Sequence, residues 1–333
     1  MNILLTGAAG FIGSALCKQL VESGHNVTAV DNFSNYYDVS FKRLRVAELL
    51  NPLNLEVLNL DICDKPSIDN LIKSRNPGAV INLAAQAGVR LGVSESGKYV
   101  ESNLVGFSNI LVSTIENKVP IFLYASSSSV YGDLAKVPYS ELETNLRPTS
   151  FYGSTKLANE LLTPTLVKNS ATKARGLRFF TVYGPWGRPD MAYFRMIANV
   201  IAGTEFDFFG DGTIERDFTF IDDAVRSVIN LMFEIEEKSP GFSDVVNLGG
   251  GRPLSMNYLM EVVGSLTGKK VSFERFETNL NDARKTMSDA SYIQNLIGSK
   301  PSTKLEDGIS KTIKWASRNE ISVNLDKWVK SVR

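Results

Sequence analysis

Apolar residues in the first half of the chain gather in short continuous runs, at residues 2–6, 26–30, 55–59, 79–83, 120–124 and 176–180, each bounded by Gly, Pro, Asn, Asp or Ser. Runs without polar alternation fit strands buried on both faces, as in a parallel sheet. Helical spacing lies between them: Ile12, Leu16, Leu20 and Val21 form one stripe that stops at Gly24, and residues 97–117 form another. Strand and helix in alternation predict an α/β fold, a doubly wound parallel sheet with its ligand at the carboxyl ends of the strands. Further helical periodicity at 225–233, 254–266 and 309–316 predicts a smaller C-terminal α/β substrate domain. The expected division is 1–180, with 221–247 returning to it, against 181–220 and 248–333.

The turns after the runs carry the candidate chemistry. The first strand ends on Gly7-Ala8-Ala9-Gly10-Phe11-Ile12-Gly13, and the second on Asp31-Asn32. Strand, glycine turn, helix, strand and acid is a Rossmann-like dinucleotide signature, here with G-x-x-G-x-x-G spacing. A diphosphate must approach backbone N–H groups at a helix N-terminus, which a Cβ would obstruct. Asp31 can accept from both ribose hydroxyls and would repel a 2′-phosphate, which favours NAD+ over its phosphorylated form. Asp61 and Ile62, after the third strand, are placed for adenine contacts. Leu83, Ala84 and Ala85, after the fourth, are placed where the cofactor's second phosphate and ribose lie close to the backbone. The fifth strand runs into Ser126, Ser127 and Ser128. Ser127 is the hydroxyl best placed to hold a reacting oxygen, with the other two close behind. Tyr152 and Lys156 then lie four apart on one face of a predicted helix, where an ammonium favours the phenolate of a proton acceptor.

Composition narrows the chemistry. In 333 residues, 36 Lys and Arg balance 36 Asp and Glu, so no nucleic-acid or membrane surface is indicated. No signal peptide is read at residues 1–7, and no apolar run approaches the ~20 residues of a membrane span. The expected setting is cytoplasmic. The single histidine, His25, sits in a turn after the first helix, which argues against Ser-His, Cys-His and histidine-rich metal sites; no metal centre is expected. Cys17 and Cys63 read as reduced thiols.

Together the glycine turn, Asp31, the serine run and Tyr152-x-x-x-Lys156 resemble the extended short-chain dehydrogenase/reductase superfamily over most of the chain. Four further stretches are similar to its nucleotide-sugar branch, and to UDP-glucuronate 4-epimerases in particular. They are Asp31 to Ser40 with a basic helix after it, Ala84-Ala85-Gln86-Ala87-Gly88-Val89-Arg90, Arg178 to Met191, and Arg216-Asp217-Phe218-Thr219-Phe220-Ile221-Asp222-Asp223. Asn82 departs from the usual His, a change in packing rather than catalysis, and residues 278–282 replace the usual Gln-Pro-Gly-Asp.

The resemblance implies reversible C4 epimerisation of a UDP-hexuronic acid with tightly bound NAD+, Tyr152 as base, Lys156 as its activator and nicotinamide-ribose contact, and Ser127 as positioning hydroxyl. It places Thr181 and Arg188 at the sugar's C6 carboxylate, with Arg90 lining the same cavity and Asp282 at the uridine ribose. From the residues themselves, Arg216, read as preceding a short strand, can clasp a diphosphate. Phe206 and Phe208, on an expected sheet edge, can flank uracil, though core packing explains them almost as well. The resemblance also implies a homodimer joined through the helices near 99–117 and 152–167. Alternatives are a UDP-glucose/UDP-galactose 4-epimerase, a decarboxylase or 4,6-dehydratase sharing the 4-keto intermediate, and a non-enzymatic NAD sensor. Dehydratases carry Asp-Glu where Ser128 and Ser129 stand.

Overall fold

A computed structural model describes residues 1–88, 93–277 and 283–332. Seven strands form one parallel sheet: β1 (Asn2–Thr6), β2 (Asn26–Asp31), β3 (Val57–Asn59), β4 (Ala79–Asn82), β5 (Ile121–Ser127), β6 (Lys173–Phe179) and β10 (Ser243–Leu248), in the order β10-β6-β5-β4-β1-β2-β3. The continuous apolar runs are explained by burial on both faces. Ile3 and Leu5 enter one core cluster with Phe11, Leu16 and Phe41, whereas Leu4 enters a second with Ile68, Ile72, Phe107 and Leu111. Strand order reverses between β1 and β4, which opens a crevice above their carboxyl ends.

The remaining strands lie outside this sheet. β7 (Thr181–Tyr183) pairs with β9 (Glu215–Phe220), and β9 pairs with β11 (Pro253–Ser255). β8 (Phe206–Phe209) pairs in parallel with β12 (Phe273–Phe276). Among the described residues no helix is long and apolar enough to cross a membrane.

Several local expectations are corrected. β5 does not end at Tyr124; pairing with β6 carries it through Ser127, so Ser126 and Ser127 are strand residues facing Arg178 and Phe179. Arg216 does not precede β9 but is its second residue. The helix expected over 97–117 is three pieces: Ser96–Tyr99, a π-helical turn at Val100–Gly106, and Phe107–Glu116. The wider turn carries Asn103, whose Oδ1 accepts from Gln86 N at 2.8 Å while its Nδ2 donates to Gln86 O at 3.1 Å and Thr155 Oγ1 at 3.0 Å. One amide thus ties the loop after β4 to the helix bearing Tyr152 and Lys156. π-turns mark functional sites with some frequency, and only the Asn103 contacts reveal this one.

Candidate active site

A cavity of about 830 Å³ runs along the crevice, from the glycine turn to Arg216. At one end, Gly7 has φ +76°, and a Cβ there would stand 2.8 Å from Ala84 N. A Cβ on Gly13 would meet Gly7 O at 2.0 Å. Both clashes are with backbone, so neither position has room for a side chain, and the helix Phe11–Glu22 begins directly behind the turn. Asp31 fixes the turn from the side: its carboxylate accepts from Ala9 N at 3.0 Å and Phe33 N at 2.7 Å. Gly10, Phe11, Ile12, Asn32, Ile62, Leu83, Ala84 and Ala85 all reach the cavity wall. Asp61 lies behind it, accepting from Asn32 Nδ2 at 2.8 Å. Asn82 accepts from Thr6 Oγ1, and the same hydroxyl accepts from Ala84 N at 3.2 Å, so the residue that replaces histidine braces the loop after β4. A glycine cradle at a helix N-terminus with an acid at the end of β2 fits a dinucleotide.

The middle of the cavity holds the proton-transfer candidates. Helix Phe151–Val167 is capped by Ser150, which accepts from Gly153 N at 3.1 Å, so the helix is fixed at its first turn, where Tyr152 sits. Lys156 is 3% exposed, donates from Nζ to Ala125 O at 2.9 Å, and lies 5.7 Å from the Tyr152 ring centroid. Burial pulls the lysine down to about 8, opposed in part by the Glu160 carboxylate. Burial pushes the Tyr152 phenol up, while the Arg188 cation and a hydrogen bond with Ser127 pull it back.

The three serines separate in role. Ser127 helps to lower the Tyr152 phenol, and its own hydroxyl donates to Ser129 Oγ at 3.1 Å while accepting from Ser129 N at 3.2 Å, which holds its rotamer. Ser126 donates instead to Glu160, whose carboxylate takes a bidentate pair from Arg178 at 2.9 and 2.7 Å. Its hydroxyl is therefore committed to a buried brace beneath the site. Ser128 opens a short turn on the cavity wall.

At the far end, Thr181, Arg188, Phe206, Phe208 and Arg216 line the cavity. Arg188 is held by Asp190 through Nε at 3.0 Å and Nη2 at 2.7 Å, and Asp190 also accepts from Tyr36 OH at 3.3 Å. Burial alone would push the Asp190 carboxyl up; the Arg188 guanidinium and these hydrogen bonds more than offset it and hold it below the usual carboxylate range. Tyr36 and Asp190 both stand in recognised stretches, yet nothing in their spacing signals the contact. Arg216 donates from Nη1 to Ala283 O at 2.7 Å. Phe206 and Phe208 are 3% and 2% exposed, because β12 covers one side of β8 and Phe273 packs on Phe208 at 5.2 Å. Among the described residues β8 keeps one edge unpaired in this two-stranded sheet, but the two rings are largely buried by packing where they reach the cavity. Arg90 and Asp282 lie outside the described residues. His25 is not on the cavity wall; its ring packs 5.7 Å from Phe233.

The family pattern described as NAD dependent epimerase/dehydratase matches residues 3–249. UDP-glucuronate 4-epimerase 2 of Arabidopsis thaliana is 39% identical over 329 residues, covering 95% of this chain and 75% of that one. The UDP-glucuronic acid 4-epimerase of Bacillus cereus, solved with UDP-glucuronic acid and NAD, superposes with a TM-score of 0.86 at 32% identity, covering 95% of this chain and 98% of its own. MoeE5, solved with UDP-glucose and NAD, gives 0.84 at 32% identity, covering 96% and 100%. With the family pattern covering residues 3–249 and relatives above 30% identity matched along most of their length, the chain belongs to the NAD dependent epimerase/dehydratase family.

Proposed function

We propose that the protein interconverts UDP-glucuronate and UDP-galacturonate by NAD+-dependent epimerisation at C4, with no net redox. The observation that carries this reading is Arg188, a part-buried guanidinium on the same cavity wall as Tyr152 and Ser127, whose charge lowers the phenol. The chemistry that NAD+ would supply when bound is reversible acceptance of the C4 hydrogen with its electron pair; every other step falls to the chain. Gly7, Gly10, Gly13 and Asp31 would hold the dinucleotide. Tyr152 takes the proton of the C4 hydroxyl, Lys156 favours the phenolate, and Ser127 holds the oxygen. The 4-keto sugar turns over while Arg216 anchors its diphosphate, and Tyr152 then gives the proton back. NMR of C4 epimers formed from UDP-glucuronate, UDP-glucose and UDP-N-acetylglucosamine tests this. Turnover of UDP-glucose with none of UDP-glucuronate would overturn the substrate assignment.

Arg188 has a second task. A glucuronate oxidised at C4 is a β-keto acid, and CO2 leaves when the C5–C6 bond aligns with the ketone. Arg188 and Thr181 hold the carboxylate out of that alignment. Arg188→Ala should therefore release UDP-pentose beside the epimer. The same variant loses the cation that lowers the Tyr152 phenol, so the rising limb of kcat against pH moves to higher pH. Weaker binding with no pentose and an unmoved limb would contradict both roles.

In this reading 1–180 plus 221–247 carry the cofactor and 181–220 with 248–333 carry the sugar nucleotide; the pairing of β10 beside β6 supports the return of 221–247 to the first unit. Phe151, Leu161, Leu162 and Leu166 are 39–66% exposed on one helix, beside Val100 and Val105 on the neighbouring segment. This apolar face fits a second copy of the chain, giving a homodimer. Leu161→Asp removes a contact worth ~2 kcal/mol, counted twice by a two-fold axis, so dimer dissociation should rise about a thousandfold. Sedimentation of the variant as an unchanged species would refute the interface. Both cysteines are free thiols, which favours a reducing, cytoplasmic setting.

A further inference from the structure

The sugar end of the cavity is not simply cationic. Arg188 meets Asp190 in a bidentate pair, at 3.0 and 2.7 Å, and the two side chains are 27% and 14% exposed. Asp190 is anchored in turn by Tyr36 OH at 3.3 Å, across 154 positions of sequence. Tyr36, Arg188 and Asp190 all line the cavity. A guanidinium whose Nε and Nη2 are already engaged presents its remaining donors to a ligand, while its charge is largely compensated by the neighbouring carboxylate. A sugar carboxylate arriving here is drawn by Arg188 and repelled by Asp190. A hydroxymethyl group meets a donor in Arg188 and an acceptor in Asp190.

Resting on the epimerase reading above, we propose that Asp190 sets the sugar preference of this site. The Arg188–Asp190 pair admits a 6-hydroxymethyl nucleotide sugar as well as a 6-carboxylate, and releasing Arg188 from Asp190 makes the site selective for the carboxylate. Asp190 acts both by compensating Arg188 and by facing the sugar with its own carboxylate; it is a specificity-determining residue, not a proton carrier. Tyr36 contributes geometry without charge, so its removal leaves the balance of attraction and repulsion in place.

The test is the ratio of kcat/KM for UDP-glucuronate to that for UDP-glucose, in the wild type, Asp190→Asn and Tyr36→Phe. Asp190→Asn should raise the ratio about tenfold or more, through a lower KM for the uronate and a higher KM for the neutral sugar. Tyr36→Phe should leave the ratio within about threefold. A ratio that stays level or falls in Asp190→Asn overturns the proposal, since Asp190 would then serve only to orient the guanidinium. A rise in Tyr36→Phe equal to that in Asp190→Asn overturns it too, because geometry rather than charge would set the preference. Calorimetric affinities of both UDP-sugars for the NAD-loaded protein read the same preference without turnover. Absence of C4 epimers from either sugar in the wild type would defeat the epimerase reading and leave the binding preference still decided by calorimetry.

Discussion

Tyr152→Phe should cut epimerisation about a thousandfold while leaving NAD and UDP-sugar binding within a few-fold of wild type. The phenolic oxygen is the only part removed, and general acid–base catalysis of this kind contributes ~10²–10⁴. The rest of the site is held without it. Lys156 is fixed by Ala125 O, Ser127 by Ser129 N, and the helix start by Ser150. Tyr152 is half-buried on the cavity wall, so stability should change by less than about 1 kcal/mol. Epimer formation followed by NMR, with calorimetric titration of NAD, separates the two effects. Turnover above a tenth of wild type would assign the proton to another group. Lys156, which burial brings down to about 8, is the neighbouring group that could take that place.

The parts of the fold that were legible in sequence are those whose cause is local. β1 reads as a strand because Ile3, Leu4 and Leu5 are buried on both faces, and the turn after it reads as a cradle because Gly7 and Gly13 exclude any Cβ. Tyr152 and Lys156 are coupled by helical spacing alone. The end of β5 was not legible: serine is a turn former by composition, and only pairing with β6 keeps Ser126 and Ser127 extended. The same pairing places Ser126 beside Glu160 and Arg178, taking its hydroxyl away from the substrate side. Contacts between distant segments left no signal either. Tyr36 meets Asp190, and Asn103 meets both Gln86 and Thr155, through geometry that no short window of sequence contains.

Arg45 is the largest of these silent features, and its loss should be felt at both ends of the cavity. In sequence it is one cation in the basic helix Val39–Leu49; in the structure it is 0% exposed. Its Nη1 donates to Ala9 O at 2.6 Å and Tyr37 OH at 3.1 Å, its Nη2 to Trp186 O at 2.8 Å, and the guanidinium lies 4.6 Å from the Phe41 ring centroid. Among the described residues no carboxylate pairs with it. Ala9 belongs to the glycine turn and Trp186 to the loop that carries Arg188, so one buried cation joins the cofactor turn to the sugar loop. Its unpaired charge also lies behind the turn that receives a diphosphate, where positive potential favours binding. Arg45→Met keeps much of the apolar stem but strands two buried carbonyls, at ~1–3 kcal/mol each, for a loss of about 3–5 kcal/mol. The melting midpoint should fall by roughly 5 °C or more. Because both loops lose the same anchor, NAD affinity should weaken and the KM for the UDP-sugar should rise together, with kcat less affected than in Tyr152→Phe. A variant that melts within about 1 °C of wild type, or that loses one affinity while keeping the other, would show that the two loops are positioned independently of Arg45.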